Sequence, residues 1–137
     1  LSCPEGVMLT SYPGALGQVI SILAFNAATH AYPGDISGVF SIEVAQHLDR
    51  SVCILCSDEG VGMPDHVRGR VFDPFFTTRR EKGNAGLGLH IAFNVVASTL
   101  GGRIELDSEV QQGTRIAIEI PLIGPSKPAE LELTAAN

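Results

Sequence analysis

Four stretches of this chain place an apolar residue at every second position, and that pattern leaves few folds open. Phe40, Ile42 and Val44 alternate with Ser41, Glu43 and Ala45, and Val52, Ile54 and Cys56 fall on one side of the next stretch. Ile104 and Leu106 alternate with Arg103, Glu105 and Asp107; Ile116, Ile118 and Ile120 alternate with Arg115, Ala117 and Glu119. Successive strand side chains point to opposite faces, so each stretch has one face to bury. One-sided strands belong to an antiparallel or mixed sheet with a single covered face. Two amphipathic helices are the natural cover. The first starts at Pro13, a residue suited to a first turn, and runs to about Ala31 with Leu16, Val19, Ile20, Leu23 and Ala27 inward; Tyr32, Pro33, Gly34 and Asp35 stop it. The second opens at Gly86 and runs to about Leu100 with Leu89, Ala92, Val96 and Leu100 inward, ended by Gly101 and Gly102. The expected class is α/β in the α+β sense: a two-layer sandwich whose mixed, mainly antiparallel sheet is covered on one face by helices. Residues 7–10 read as a short edge strand, and Gln111, Gln112 and Gly113 as a hairpin connection.

The 137 residues suffice for one domain with a real core and not for two. We expect a single domain over residues 1–122 and a linker or tail over 123–137, where Gly124, Pro125, Ser126, Lys127 and Pro128 follow one another. A net charge of −6 argues against nucleic acid as the main partner. No apolar run approaches the roughly 20 residues that span a bilayer, and no signal peptide is visible, so no direct membrane contact is expected. Leu1 in first place, rather than Met, points to a piece of a longer protein. Three cysteines suggest no disulfide framework. Cys53 and Cys56 have the spacing of a metal or redox pair, but on a strand residues three apart face opposite sides.

Several residues invite chemistry. Ile22, Asn26 and His30 stack on one face of the first helix, with Thr29 beside them; Asn26 is either a helix-interior residue satisfied by neighbours or a ligand. Asp58 extends the inward face of Val52, Ile54 and Cys56 by one step and leads into Gly60 and Gly62. A carboxylate at the inner end of a strand needs hydrogen-bonding partners, which its own turn backbone can also supply. Phe72, Phe75 and Phe76 form an aromatic cluster without a regular period, and Gly86 and Gly88 open the second helix. Between them, residues 78–84 are polar and charged and read as a mobile loop; its Arg79, Arg80 and Lys82 are either a solvated surface or an anion contact.

Together and in this order, these pieces resemble the ATP-binding catalytic domain of bacterial sensor histidine kinases, in the GHKL superfamily, over about residues 6–122. The run from Gln18 to Ala27 resembles the N box, and Asp58, Gly60, Gly62 and Met63 the first glycine box. Phe72 to Thr78 resembles the F box; Gly86, Leu87, Gly88 and Leu89 a second glycine box; Gly113 and Thr114 the last. The resemblance implies a Bergerat-type fold that binds ATP and Mg2+. It places Asn26, His30, Asp58, Gly60, Gly62, Met63, Phe75, Gly86, Leu87, Gly88, Leu89 and Thr114 around the nucleotide. It makes Asn26 the metal ligand and gives Asn26, Arg79 and Lys82 catalytic positions, with Asp58 accepting a bond from the adenine amino group.

The same resemblance implies transfer of the γ-phosphoryl group to a histidine on a separate dimerisation domain of the same kinase. A response regulator would follow downstream, the full-length protein would be a homodimer, and the domain would be cytoplasmic whether or not the whole protein is membrane-anchored. None of the four histidines is followed by an acidic residue, so none fits the phosphoacceptor itself. Thr29 stands where many such kinases carry a phosphate-directed lysine, Asn84 where a lid glycine is usual, and Ile22 where related hydrolases carry a glutamate base. An aliphatic side chain cannot activate water. The alternatives are a GHKL hydrolase, disfavoured by Ile22 and the short lid, a serine kinase of the anti-sigma type, and a degenerate nucleotide-binding docking module.

Overall fold

Strand register explains how the four alternating stretches combine. The structure, a computed structural model, describes residues 1–32, 34, 37–48, 50–77 and 86–125. Its sheet contains β1 (Phe40–His47), β2 (Ser51–Asp58), β3 (Arg103–Glu109) and β4 (Gly113–Pro121), antiparallel throughout, in the order β1-β2-β4-β3. Pairing puts residues of the same parity in rows across the sheet. Val44, Ile54, Ile118 and Ile104 make one row; Ile42, Cys56, Ile116 and Leu106 make the next. The following row changes character: Phe40, Asp58, Thr114 and Ser108 share the same covered face, but three of the four are polar. The sheet therefore supplies a core along most of its length and a polar floor at one end.

Two helices cover that face. α1 (Pro13–Asn26) ends in a turn widened to π geometry over Ala27–Ala31. A second, four-residue helix, α2 (Asp65–Arg68), follows β2, and α3 (Gly88–Asn94) continues as a π turn over Val95–Thr99. Val19, Leu23, Ala92, Val96 and Leu100 are buried against Ile118 and Ile120, as the helical spacing predicts. Each of the fully buried valine, leucine and isoleucine side chains contributes about 1.5 to 3 kcal/mol of transfer free energy. α3, expected from Gly86, starts at Gly88, because Gly86 has a φ of +74°, outside helical space.

One expectation fails at the edge of the fold. Residues 7–10 are not a strand: Ser2 makes a single parallel bridge to Glu43 of β1, and Thr10 another to Ile123 beyond β4. One partner lies on β1 and the other just past β4, and between the two bridges Val7 and Leu9 pack against the core. The residues read as the start of a linker are also tied down. Gly124 donates to the Thr10 carbonyl at 2.7 Å and the Tyr12 hydroxyl to the Pro125 carbonyl at 2.7 Å; residues 126–137 lie outside those described. Cys53 and Cys56 do occupy opposite faces, both thiols are free, and burial pushes the Cys56 thiol up to about 11. Among the described residues no helix is long and apolar enough to cross a membrane.

Candidate functional site

The polar end of the sheet opens into a cavity of about 480 Å³, bounded by α1, the turn after β2, α2 and the start of α3. Ile22, Asn26 and His30 all line it, so the stripe read from their four-residue spacing is one wall. Asp58 and Thr114, neighbours across β2 and β4, form the floor. Gly62, Met63 and the four residues from Gly86 to Leu89 complete the part anticipated from sequence.

Asp58 makes the local turn bond and also lines the cavity. Its Oδ1 accepts the Gly60 N–H at 2.9 Å, the local turn bond, while the carboxylate also faces the cavity. Burial raises its pKa above the ordinary carboxylate value, and the Gly60 and Thr114 N–H groups pull it part of the way back. The turn itself is clamped from two sides: Val61 donates to the Ala31 carbonyl at 2.9 Å and accepts from the Gln111 N–H at 2.7 Å. Gly60 does not line the cavity; it contributes through its bond to Asp58. Gly62 sits at a φ of +67° with its backbone pressed against the Glu109 carbonyl.

Beside Asp58, a buried hydroxyl pair fixes a polarity. Ser108 Oγ donates its one proton to the Gly113 carbonyl at 2.8 Å and lies 3.0 Å from Thr114 Oγ1. The hydrogen between the two hydroxyls must then come from Thr114, which leaves Thr114 with lone pairs only. The floor of the cavity thus presents acceptors, and the group that fits against it is a donor. Around that floor the walls are largely apolar, through Ile22, Val61, Met63, Leu89 and two side chains of the α2 region, Val67 and Val71.

Of the adjacent Phe75 and Phe76, expected at the site through Phe75, the second is the one on the cavity. Phe75 is 61% exposed, has a φ of +64° and does not line the cavity; its neighbour Phe76 does. Phe76 lies under the Arg70 guanidinium, 4.8 Å from ring centroid to cation, and Arg70 in turn reaches Asp73 at 3.4 Å. Phe72 packs on Phe93 of α3 with ring centroids 5.5 Å apart. His90 holds the same junction: a carbonyl can only accept, so Nδ1 carries the proton given to the Phe72 carbonyl at 3.1 Å, and Nε2 accepts from Asn94 at 3.1 Å. A Cβ at Gly86 would come within 2.5 Å of the Phe75 carbonyl carbon, so only glycine brings the α3 entrance this close to the aromatic segment. Val67 and Val71 escaped the sequence reading; their four-residue separation was the one available signal. Arg79, Arg80, Lys82 and Asn84 lie outside the described residues.

A family model described as histidine kinase-, DNA gyrase B-, and HSP90-like ATPase matches residues 12–124. The chain belongs to this ATPase family. Within it, the chain is 41% identical over 117 residues to sporulation kinase A of Bacillus subtilis, covering 85% of this chain and 18% of that protein. It is 35% identical over 101 residues to the anti-sigma F factor of Geobacillus stearothermophilus, covering 74% of this chain and 64% of that one. Among solved structures, the mycobacterial sensor histidine kinase MprB superposes with a TM-score of 0.70 at 28% identity, covering 85% of this chain and 78% of that one. This is the ATP-binding type of domain found in sensor histidine kinases, and the fold described above is theirs. The chain spans about a fifth of the length of the sporulation kinase.

Proposed function

We propose that the cavity binds Mg-ATP and that the domain delivers the γ-phosphoryl group to a histidine on a separate dimerisation and phosphoacceptor domain. One observation carries the base assignment: the floor formed by Asp58 and Thr114 offers acceptors only. Adenine presents an exocyclic amino donor where guanine presents a carbonyl, so this floor favours adenine. Met63, Val67 and Leu89 give the ring apolar contact, and a helix start at Gly88 leaves its first N–H groups free of intrahelical partners, on the side where phosphates would lie.

Asn26 fits a metal role. It is half-buried, faces the cavity and offers a neutral amide oxygen. Among the described residues no group of three or more His, Cys, Asp and Glu could hold an ion, so magnesium would draw most of its ligands from phosphate and water. When bound, it neutralises charge on the phosphates. The chain's own residues position: Asp58 fixes the base, Asn26 the phosphate end, and Ile22 puts hydrocarbon on the α1 wall beside Asn26. The aliphatic side chain at position 22 cannot itself activate water, which supports transfer to a protein over hydrolysis. Arg79 and Lys82 are proposed as further phosphate contacts, on sequence alone. A response regulator, a homodimeric full-length kinase and a cytoplasmic domain complete the reading.

The anti-sigma relative motivates a second reading, phosphorylation of a protein serine. Incubation with labelled Mg-ATP separates the readings. Alone, the chain should hydrolyse ATP far more slowly than about 1 per second and should not label itself. With the histidine domain of the same kinase added, label should appear in that domain as acid-labile, base-stable phosphate. Acid-stable label on serine would favour the second reading, and brisk hydrolysis by the chain alone would overturn both.

A further inference from the structure

We propose that Tyr32 is a positioning residue for nucleotide recognition, its hydroxyl setting the distance between the α1 wall that carries Asn26 and the turn that carries Asp58. This rests on the adenine reading above. The hydroxyl donates to the Val39 carbonyl at 2.7 Å and accepts from two N–H groups, Val39 at 3.1 Å and Glu59 at 3.0 Å. One donor and two acceptor positions are all a hydroxyl has, so its capacity is used in full. The three bonds join the end of α1 to the residue before β1 and to the residue after Asp58. One residue earlier, the Ala31 carbonyl accepts from Val61 at 2.9 Å. Residues 31 and 32 thus hold residues 59 and 61 on either side of Gly60, whose N–H orients the Asp58 carboxylate.

The ring is held as well. A Cβ at Gly38 would overlap the Tyr32 ring, so a glycine there lets the loop backbone lie flat against the aromatic face. The tyrosine is at the surface side of this junction, and the hydrogen bonds it makes are solvent-accessible. Water can therefore take over the two N–H groups if the hydroxyl is removed, which limits the stability cost. What water cannot supply is a fixed length between α1 and the Asp58 turn. The hydroxyl is thus worth more to geometry than to stability, and a base that must meet Asp58 while its phosphates meet the α1 wall is sensitive to that geometry.

The test measures Mg-ATP and Mg-GTP affinity and thermal midpoint for the wild type, Tyr32→Phe and Gly38→Ala. The second variant displaces the ring without deleting the hydroxyl. Both should weaken ATP about five- to tenfold, on the scale of one hydrogen bond, and change GTP affinity less than about twofold, so that base selectivity narrows. In an Asp58→Asn background, Tyr32→Phe should have little further effect, because its action runs through that carboxylate. Equal losses for ATP and GTP, or full additivity with Asp58→Asn, would overturn the positioning role and leave the adenine reading standing. A wild type that binds both nucleotides equally would remove the adenine reading itself.

Discussion

Asp58→Asn should weaken Mg-ATP binding about ten- to a hundredfold while leaving the unliganded domain at least as stable as the parent at neutral pH. The two halves of this result have one cause. Burial raises the Asp58 pKa, so the ionised carboxylate is held at a cost that the Gly60 and Thr114 N–H groups offset only in part. Asparagine keeps an oxygen for the Gly60 bond and removes the charge. On binding, the carboxylate recovers that cost through a charge-assisted bond to an amino donor, worth about 1.5 to 3 kcal/mol, which is the stated loss in affinity. The sign of the pH dependence follows. A raised folded pKa means the folded chain binds the proton more tightly than the unfolded chain. Stability from this group therefore grows as pH falls through the raised value and is complete below the ordinary 3.8. Any stability advantage of the asparagine variant should thus shrink in acid. Calorimetry for affinity and thermal unfolding from neutral pH downward check both halves; a variant with unchanged ATP affinity, or one less stable than the parent at pH 7, would contradict this account of Asp58.

The second large effect is structural. Gly62→Ala must place a side chain at a φ of +67° and drive its Cβ into the Glu109 carbonyl, part of the backbone that closes the β3–β4 hairpin. The neighbouring bonds leave little room to yield, since Val61 is tied both to Ala31 and to Gln111. Left-handed backbone costs about 1 to 2 kcal/mol for a residue with a Cβ, and displacing a clamped turn raises the total to about 3 kcal/mol. For a domain of this size that lowers the melting midpoint by about 10 °C. The control is Gly17→Ala. Gly17 lies inside α1 with open space around it and no positive φ, so the same substitution should stabilise by about 0.5 to 1 kcal/mol. Thermal unfolding of the pair decides the matter: equal shifts would mean that the turn is not clamped.

The parts of the fold legible in sequence are those with a local period. Alternation in β2 and β4 fixed which face Asp58 would share with Cys56, and the register then placed Thr114 beside it. The four-residue spacing of Ile22, Asn26 and His30 puts them on one helix face, and that face lines the cavity. Where no period exists, sequence reading fails for physical reasons. Phe75 and Phe76 are adjacent, and which of them faces inward depends on a positive φ at Phe75 that no local pattern announces. α2 is a single turn ending at Arg68, so the four-residue separation of Val67 and Val71 is never repeated and does not stand out as a helix face. Tyr32 read only as a helix stop, because its partners Val39 and Glu59 lie seven and 27 residues away. The segment before α1 has the composition of a strand, yet its two bridges are set by where the sheet ends.

The central claim is that the cavity at the polar end of the sheet is an adenine-nucleotide site whose base is read by an acceptor floor. Isothermal titration of the purified chain with Mg-ATP and, separately, with Mg-GTP tests it most directly. The account predicts saturable one-to-one binding of ATP, at least about tenfold tighter than GTP, the difference that a single buried charge-assisted bond produces. Equal affinities for the two nucleotides, or heats indistinguishable from dilution for ATP, would contradict it.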